Sequence, residues 1–132
     1  MVKKLIIISL IIAIILGFGV SENIVTVKTY KELIEHCDNM EIALKLSDEK
    51  ISNNNNVTEI FKKIEIKWKD FQGFSLAFAN HNTIKDFSQK LNMLKGYLYE
   101  DDKKEVIVCL NMLRSSAQFI IEEFAINYAN IL

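Results

Sequence analysis

Met1-Val2-Lys3-Lys4-Leu5-Ile6-Ile7-Ile8-Ser9-Leu10-Ile11-Ile12-Ala13-Ile14-Ile15-Leu16-Gly17-Phe18-Gly19-Val20-Ser21-Glu22 decides the architecture of this chain. Two lysines lead, sixteen residues from Leu5 to Val20 follow with no charge and one hydroxyl, and the first acid comes at Glu22. A basic start, an apolar stretch and a polar exit form the pattern of an export signal. As an α-helix, such a stretch spans about 24 Å, a little less than the roughly 30 Å hydrocarbon core of a bilayer. Lys3 and Lys4 snorkelling on one side, with Ile24, Val25 and Val27 resting at the other interface, close that gap. Gly17-x-Gly19 and Gly19-x-Ser21 offer small residues to a signal peptidase, and a cleaved form would be secreted. The isoleucine-rich run is long for a cleaved signal, so the expectation is an uncleaved signal anchor over residues 1–20. The positive-inside rule then keeps the N-terminus in the cytoplasm and puts residues 21–132 outside, on a single-pass protein of the cell membrane.

Other readings of this opening fail on position. Gly17-Phe18-x-x-x-Glu22 has the letters of a prepilin processing site, but its apolar run lies before the cut rather than after it. A lipoprotein needs a cysteine just past the apolar run, and the nearest here is Cys37. A buried globular helix rarely lacks a polar face over so many residues.

The whole chain has 132 residues, half of them hydrophobic and a quarter charged, with no proline and four glycines. So few turn-formers argue against a many-turned β architecture. Sixteen basic against seventeen acidic residues leave a net charge of −1, which selects for no nucleic-acid partner. Fifteen lysines to a single arginine, with twenty isoleucines and twelve asparagines, read as AT-rich coding bias rather than as function.

Beyond Val20 the apolar residues keep a helical period almost throughout. Tyr30, Leu33, Ile34, Cys37, Met40, Leu44 and Ile51 form one stripe, which ends in Asn53-Asn54-Asn55-Asn56. Asn56 with Glu59 reads as a capping box opening a second helix, whose stripe is Val57, Ile60, Phe61, Ile64, Trp68, Phe71 and Phe78. Gly73 inside that helix suggests a bend or a close helix contact. Asn80-His81-Asn82 makes the next connection. Thr83 with Asp86 caps a third helix bearing Ile84, Phe87, Leu91, Leu94 and Leu98. Asp102 with Glu105 caps a fourth, bearing Val106, Cys109, Leu110, Leu113, Ala117, Ile120, Ile121, Phe124, Tyr128 and Ile131. Short connections imply antiparallel neighbours. The expected fold is therefore all-α, an N-terminal transmembrane or signal-anchor helix followed by an up-down four-helix bundle. Tyr30 follows the apolar run so closely that the first bundle helix is free to continue directly from the anchor.

This layout resembles the small exported proteins of spore-forming bacteria grouped as domain-of-unknown-function family forty-three sixty-three. The shared features are the lysine-led apolar start, the wholly helical remainder and a lone tryptophan in the second helix, Trp68. A histidine opening the third helix region, His81, and the ending Asn130-Ile131-Leu132 match as well. Members typically have an acid soon after the histidine; here Asn82-Thr83 follows, and Asp86 comes later. The resemblance implies no established activity. Genes of the family often lie beside one for a multi-pass membrane protein, which implies a membrane partner.

No catalytic constellation emerges from the residues. His36 and Cys37 are adjacent on one helix and point about 100° apart, so they do not share a metal easily, and zinc needs three or four converging ligands. His36 more naturally pairs with Glu32 one turn back, and His81 caps or hydrogen-bonds in its loop. A di-iron bundle needs Glu three residues before each histidine, where Leu33 and Phe78 stand instead. Cys37 and Cys109 fall on apolar stripes about 20 Å apart along the bundle, too far for a disulfide. Glu100-Asp101-Asp102 and Glu122-Glu123 read as solvated acids, without the glycine-turned loop that calcium prefers. Lys62, Lys63, Lys67 and Lys69 form a modest basic strip, and Asn56-Val57-Thr58 is a sequon that capping already explains. No cofactor or metal is expected. The candidate interaction surface is the aromatic stripe Trp68, Phe71, Phe74 and Phe78 with His81, read either as core or as a groove for a partner helix.

The expected function is a non-enzymatic, membrane-anchored extracytoplasmic interaction domain, accessory to an integral membrane protein and open to homo-oligomerisation. The alternative is an extracytoplasmic ligand-sensing module. With only Met1 to Lys4 in the cytoplasm, it would signal through a partner.

Overall fold

Val2–Leu46 form one uninterrupted helix, α1, which carries the apolar run directly into the folded part of the chain. At 1.5 Å per residue it is about 67 Å long. The computed structural model describes residues 2–48, 50–75 and 81–129, with side chains described from Lys3 to Ala125 within those limits. Leu5, Ile8, Ile12, Ile15 and Phe18 are each more than half exposed. A window of α1 reaches a mean hydropathy of 2.5 with none of it buried, so the helix is long and apolar enough to cross a membrane.

Burial begins where the apolar run has ended. Thr26, Tyr30, Leu33, Cys37, Met40 and Leu44 point inward at steps of three and four, with Thr29 beside them. Three further helices complete an up-down bundle: α2 (Asn55–Ser75), α3 (His81–Tyr99) and α4 (Lys103–Ala129). Among the described residues there is no strand. The backbone of α1 packs closely on α2 and α4, and α3 packs closely on α4, while α2 and α3 face each other across a wider seam. The expected stripes supply the core, with Val57, Ile64, Trp68, Phe87, Leu94, Val106, Leu110 and Leu113 almost fully enclosed. Phe78, Tyr128 and Ile131 lie outside the described side chains.

Three local expectations need correction. The first stripe does not stay helical as far as Ile51. The helix stops at Leu46, and Ile51 sits in a single 3-10 turn, Ile51–Asn53, that folds back to plug the bundle end with a 3% exposed side chain. Ser47 and Asp48, which compete for backbone hydrogen bonds in non-helical conformations, stand where α1 ends. The second helix is capped by Asn54 rather than Asn56. Asn54 Oδ1 accepts the Val57 N–H at 3.2 Å, and Asn56 lies within the first turn. Four consecutive asparagines have equal capping propensity, so only geometry selects among them. The third helix begins at His81, which puts Thr83 inside the first turn rather than at the cap.

Asp102 caps α4 as expected, its Oδ1 accepting the Lys104 and Glu105 N–H groups at 3.1 and 3.2 Å. Just before it, Asp101 adopts a left-handed φ of 62°, and the Asp102 N–H returns to the Tyr97 carbonyl at 3.1 Å. This six-to-one bond ends α3 in a Schellman turn that usually employs glycine. Asp101 Oδ1 also accepts the Ser52 N–H at 3.2 Å, and Lys103 Nζ donates to the Ser47 carbonyl, so the two distal loops hold each other. Gly73 and Gly96 sit inside helices with open space where a Cβ would project, so Gly73 serves no close helix contact.

Helix energetics then make two opposite predictions. Gly96→Ala raises stability by about 0.5–1 kcal/mol, because only the backbone entropy of glycine is lost. Asp102→Ala lowers it by about 1 kcal/mol by leaving two N–H groups uncapped. Thermal unfolding followed by circular dichroism in micelles reads both; equal shifts of the same sign contradict the assignment.

Candidate functional site

The aromatic residues singled out in α2 divide by burial. Trp68 and Phe71 are 3% and 4% exposed, whereas Phe74 is 38% exposed. His81 is exposed at the start of α3, and Phe78 lies outside the described residues. Trp68 and Phe71 meet Tyr30 of α1 and Phe87 of α3 in one aromatic node. The Trp68 and Phe87 rings are centred 4.3 Å apart, and Tyr30 presents its ring edge-on to Phe71 and Phe87 at 5.4 and 5.5 Å. Offset and edge-to-face arrangements of this kind place ring edges on ring faces and add to the gain from burial. Burial, and then the nearby Asp86 carboxylate, raise the Tyr30 hydroxyl well above the usual tyrosine range.

A polar knot seals the node. Trp68 Nε1 and Gln72 Nε2 donate to Ser88 Oγ at 3.0 and 2.9 Å, and Ser88 Oγ donates to the Ile84 carbonyl at 2.8 Å. The indole N–H is thus satisfied in a largely dry place, where leaving it unpaired would cost about 1–3 kcal/mol. Pattern reading of apolar stripes did not reveal Ser88, because a serine one turn past Ile84 has no periodic signature of its own.

The charged candidates are engaged in holding helices together. Glu32 finds its main partner in Lys67 of α2 rather than in His36, which contributes the weakest of the charges acting on it. The hydrogen bond from Lys67 holds the Glu32 carboxyl below its ordinary value of 4.5. Lys67 therefore leaves the basic strip, while Lys62, Lys63 and Lys69 remain exposed. Arg114 of α4 donates from Nη2 to Glu41 of α1, with Nε 3.1 Å from Asp38 Oδ1, and Lys45 lies 2.5 Å from the same Glu41. Lys95 of α3 reaches Glu65 of α2 at 2.7 Å, and Lys90 of α3 reaches Ser116 of α4 at 2.7 Å. Glu122 and Glu123 are exposed, with Gln118 donating to Glu122 at 2.9 Å. Among the described residues no three His, Cys, Asp or Glu side chains converge on a metal position.

Cys37 and Cys109 are both buried and unbridged. Burial pushes the Cys37 thiol up to about 12 and raises Cys109 in the same direction, the second helped by Glu105. Thiols held protonated are poor nucleophiles.

The wider α2–α3 seam carries two concavities. One, of about 280 Å³, lies at the distal end between Phe61 and Leu98 and has Ile51 and Val57 in its lining and Lys95 and Tyr99 at its edge. The other is shallower, about 480 Å³, and is walled by Trp68, Gln72 and Leu91 with Ile66 and Lys69 alongside. Tyr99 is 81% exposed and Ile66 53% exposed, large apolar surfaces left in solvent beside an apolar hollow.

Two measurements test these assignments. Neither thiol reacts with a disulfide reagent in the native protein at neutral pH, and both react once it is denatured; fast labelling of folded protein contradicts the burial. Because the native Glu32 value is depressed, its pair stabilises the fold above about pH 4.5, and this contribution fades as the pH falls through the native value. Both partners are about one-third exposed, so the effect is small. Glu32→Gln flattens the corresponding part of the acid limb of Tm, and an unchanged limb rejects the pair.

Comparison with known proteins adds a single match. No curated protein and no solved structure matches the chain. The model of one family, described as a domain of unknown function (DUF4363), matches residues 27–131, from the first turns of the bundle to the last residues of the chain. With that coverage and a helical bundle behind a long apolar helix, the chain belongs to the DUF4363 family.

Proposed function

We propose that this chain is a membrane-anchored, non-enzymatic interaction domain displayed outside the cytoplasm and accessory to an integral membrane protein. The observation that carries the reading is α1, whose exposed apolar run passes without a break into the wall of the bundle. A helix with its backbone hydrogen bonds made internally is suited to lipid, and its solvent-exposed leucines and isoleucines find there the apolar surroundings that water denies them. Lys3 and Lys4 at the head of the run favour a cytoplasmic N-terminus.

The non-enzymatic part rests on what the titratable groups are engaged in. Glu32, Glu41, Asp38 and Glu65 join helices, Asp102 caps one, and both thiols are buried and protonated. The family resemblance, with its neighbouring multi-pass membrane protein genes, points to the class of partner.

Orientation is read by paired fusions at the C-terminus. Alkaline phosphatase is active and a cytoplasm-dependent fluorescent protein dark if the bundle is outside; the reverse result overturns the topology. Intact mass of the membrane-bound protein retains residues 5–20 if the run is an anchor. Cross-linking in intact cells followed by solubilisation recovers an integral membrane protein, and recovery of none in several detergents overturns the interaction role.

A further inference from the structure

We propose that the α2–α3 seam is a docking groove for an acidic amphipathic helix of a partner protein. This proposal rests on the reading of the bundle as an interaction domain and names the surface that performs it.

The seam has the right repeat for such a guest. Phe61 and Trp68 are seven residues apart on α2, and Leu98 and Leu91 are seven apart on the antiparallel α3, so each hollow is bounded by one residue of each pair. Seven residues rise about 10 Å along a helix, two turns, which is the spacing of apolar side chains at i and i+7 on a guest helix. The distal hollow of about 280 Å³ takes one large apolar side chain. The second, over Trp68 and Leu91, takes another. From Val57 to Gln72, the limits of the two hollows on α2, the floor is about 22 Å long, room for about fifteen helical residues.

Charge selects the guest. Lys69 lines the second hollow, and Lys95 lines the first while engaged by Glu65, so the unpaired rim charge comes from the exposed lysines. Lys62 lies seven residues before Lys69 and therefore shares its face of α2. Lys85 lies fourteen residues before Tyr99 and shares its face of α3. Lys62, Lys69 and Lys85 are exposed. Of the acids in the region, Glu65 lines the second hollow and is held by Lys95, and Asp101 at the distal end is turned to the Ser52 N–H. The exposed Glu59 and Asp70 lie about 60–100° further round α2 than Lys62 and Lys69, with the exposed Glu100 past the end of α3. An apolar floor between lysine-bearing rims fits a helix with one apolar stripe flanked by Glu and Asp, and opposes a basic one.

The test uses the full chain in detergent micelles and two designed sixteen-residue helical peptides. Both have Leu and Phe seven residues apart; one is flanked by Glu and the other by Lys. Trp68 is the chain's sole tryptophan and walls the second hollow, so its emission reports occupancy. The acidic peptide produces a saturable change, and the basic peptide binds at least about tenfold more weakly, a difference of about 1.4 kcal/mol. The exposed triple variant K62E/K69E/K85E reverses that preference while keeping the native helical signal and Tm. Equal response to both peptides, a Trp68 signal that does not change, or one that changes with protein concentration alone because a second copy covers the seam, overturns the proposal. A cross-linked membrane partner that survives in the triple variant overturns the groove and leaves the interaction role standing. Peptide binding with the expected charge preference, in cells where no partner is cross-linked, supports the groove and removes that role.

Discussion

The unbroken hydrogen-bond ladder of α1 is the constraint on which everything else in this molecule depends. A helix long and apolar enough to cross a membrane satisfies its own backbone, and this one continues doing so for several further turns after its side chains begin to be buried in the bundle. With no proline in the chain, and with Gly17 and Gly19 in ordinary helical conformation, nothing in the passage from the run to the bundle interrupts it. The same helix is therefore apolar all round at one end and amphipathic at the other. The change takes place over residues 21–30, where Thr26 and Thr29 are the first to turn inward and Tyr30 is the first large side chain to be enclosed. Tyr30 touches Trp68 and Phe71 of one neighbour and Phe87 of the helix diagonally opposite. The aromatic node fixes α2 and α3 to α1 at the level where the bundle begins.

Each seam of the bundle carries at least one polar link in addition to its apolar packing. Glu32–Lys67 joins α1 to α2, Glu65–Lys95 and the Ser88 knot join α2 to α3, Lys90–Ser116 joins α3 to α4, and Arg114 with Glu41 and Asp38 joins α4 to α1. Exposed pairs contribute little to stability singly. Their physical effect here is on register, because helices packed through isoleucine and leucine can slide by a turn at modest cost, whereas a displaced carboxylate loses its cation. The α2–α3 seam relies most on such links and least on close backbone approach, which is why it opens into apolar hollows on both sides of the Glu65–Lys95 bridge.

The apolar stripes were legible from the sequence because burial along a helix repeats locally. Phe87, Leu91 and Leu94 in α3, and Val106, Leu110 and Leu113 in α4, lie where the period puts them. Asp102 was legible as a cap because Glu105 stands three residues on, where its neighbour Asp101 has Lys104 instead. Asn54 was not, since it stands in a run of four chemically identical candidates. Partners distant along the chain left no local trace. Glu32 has His36 one turn away and Lys67 thirty-five positions on, and only the packed bundle shows which is nearer. Ile51 reads as one more step of a stripe until the chain is seen to leave the helix and return as a plug. Trp68, Phe71 and Phe74 look alike in spacing, yet two are core and the third is well exposed, because Phe74 falls toward the edge of the stripe's arc. The hollows were the least readable feature, being made by the gap between two helices rather than by either.

The continuity of α1 also fixes a compass bearing. Eighteen residues make five full turns of an α-helix. Ile12 therefore lies on the same meridian as Tyr30, and Ile15 on that of Leu33. Seen down the axis of α1, the bundle stands on the side of the apolar run marked by Ile12 and Ile15, and the opposite side of the run faces away from it. One residue inserted between Val20 and Thr26 would swing the bundle by about 100° while leaving its interior untouched. Two chains with identical cores and identical anchors would then face different neighbours.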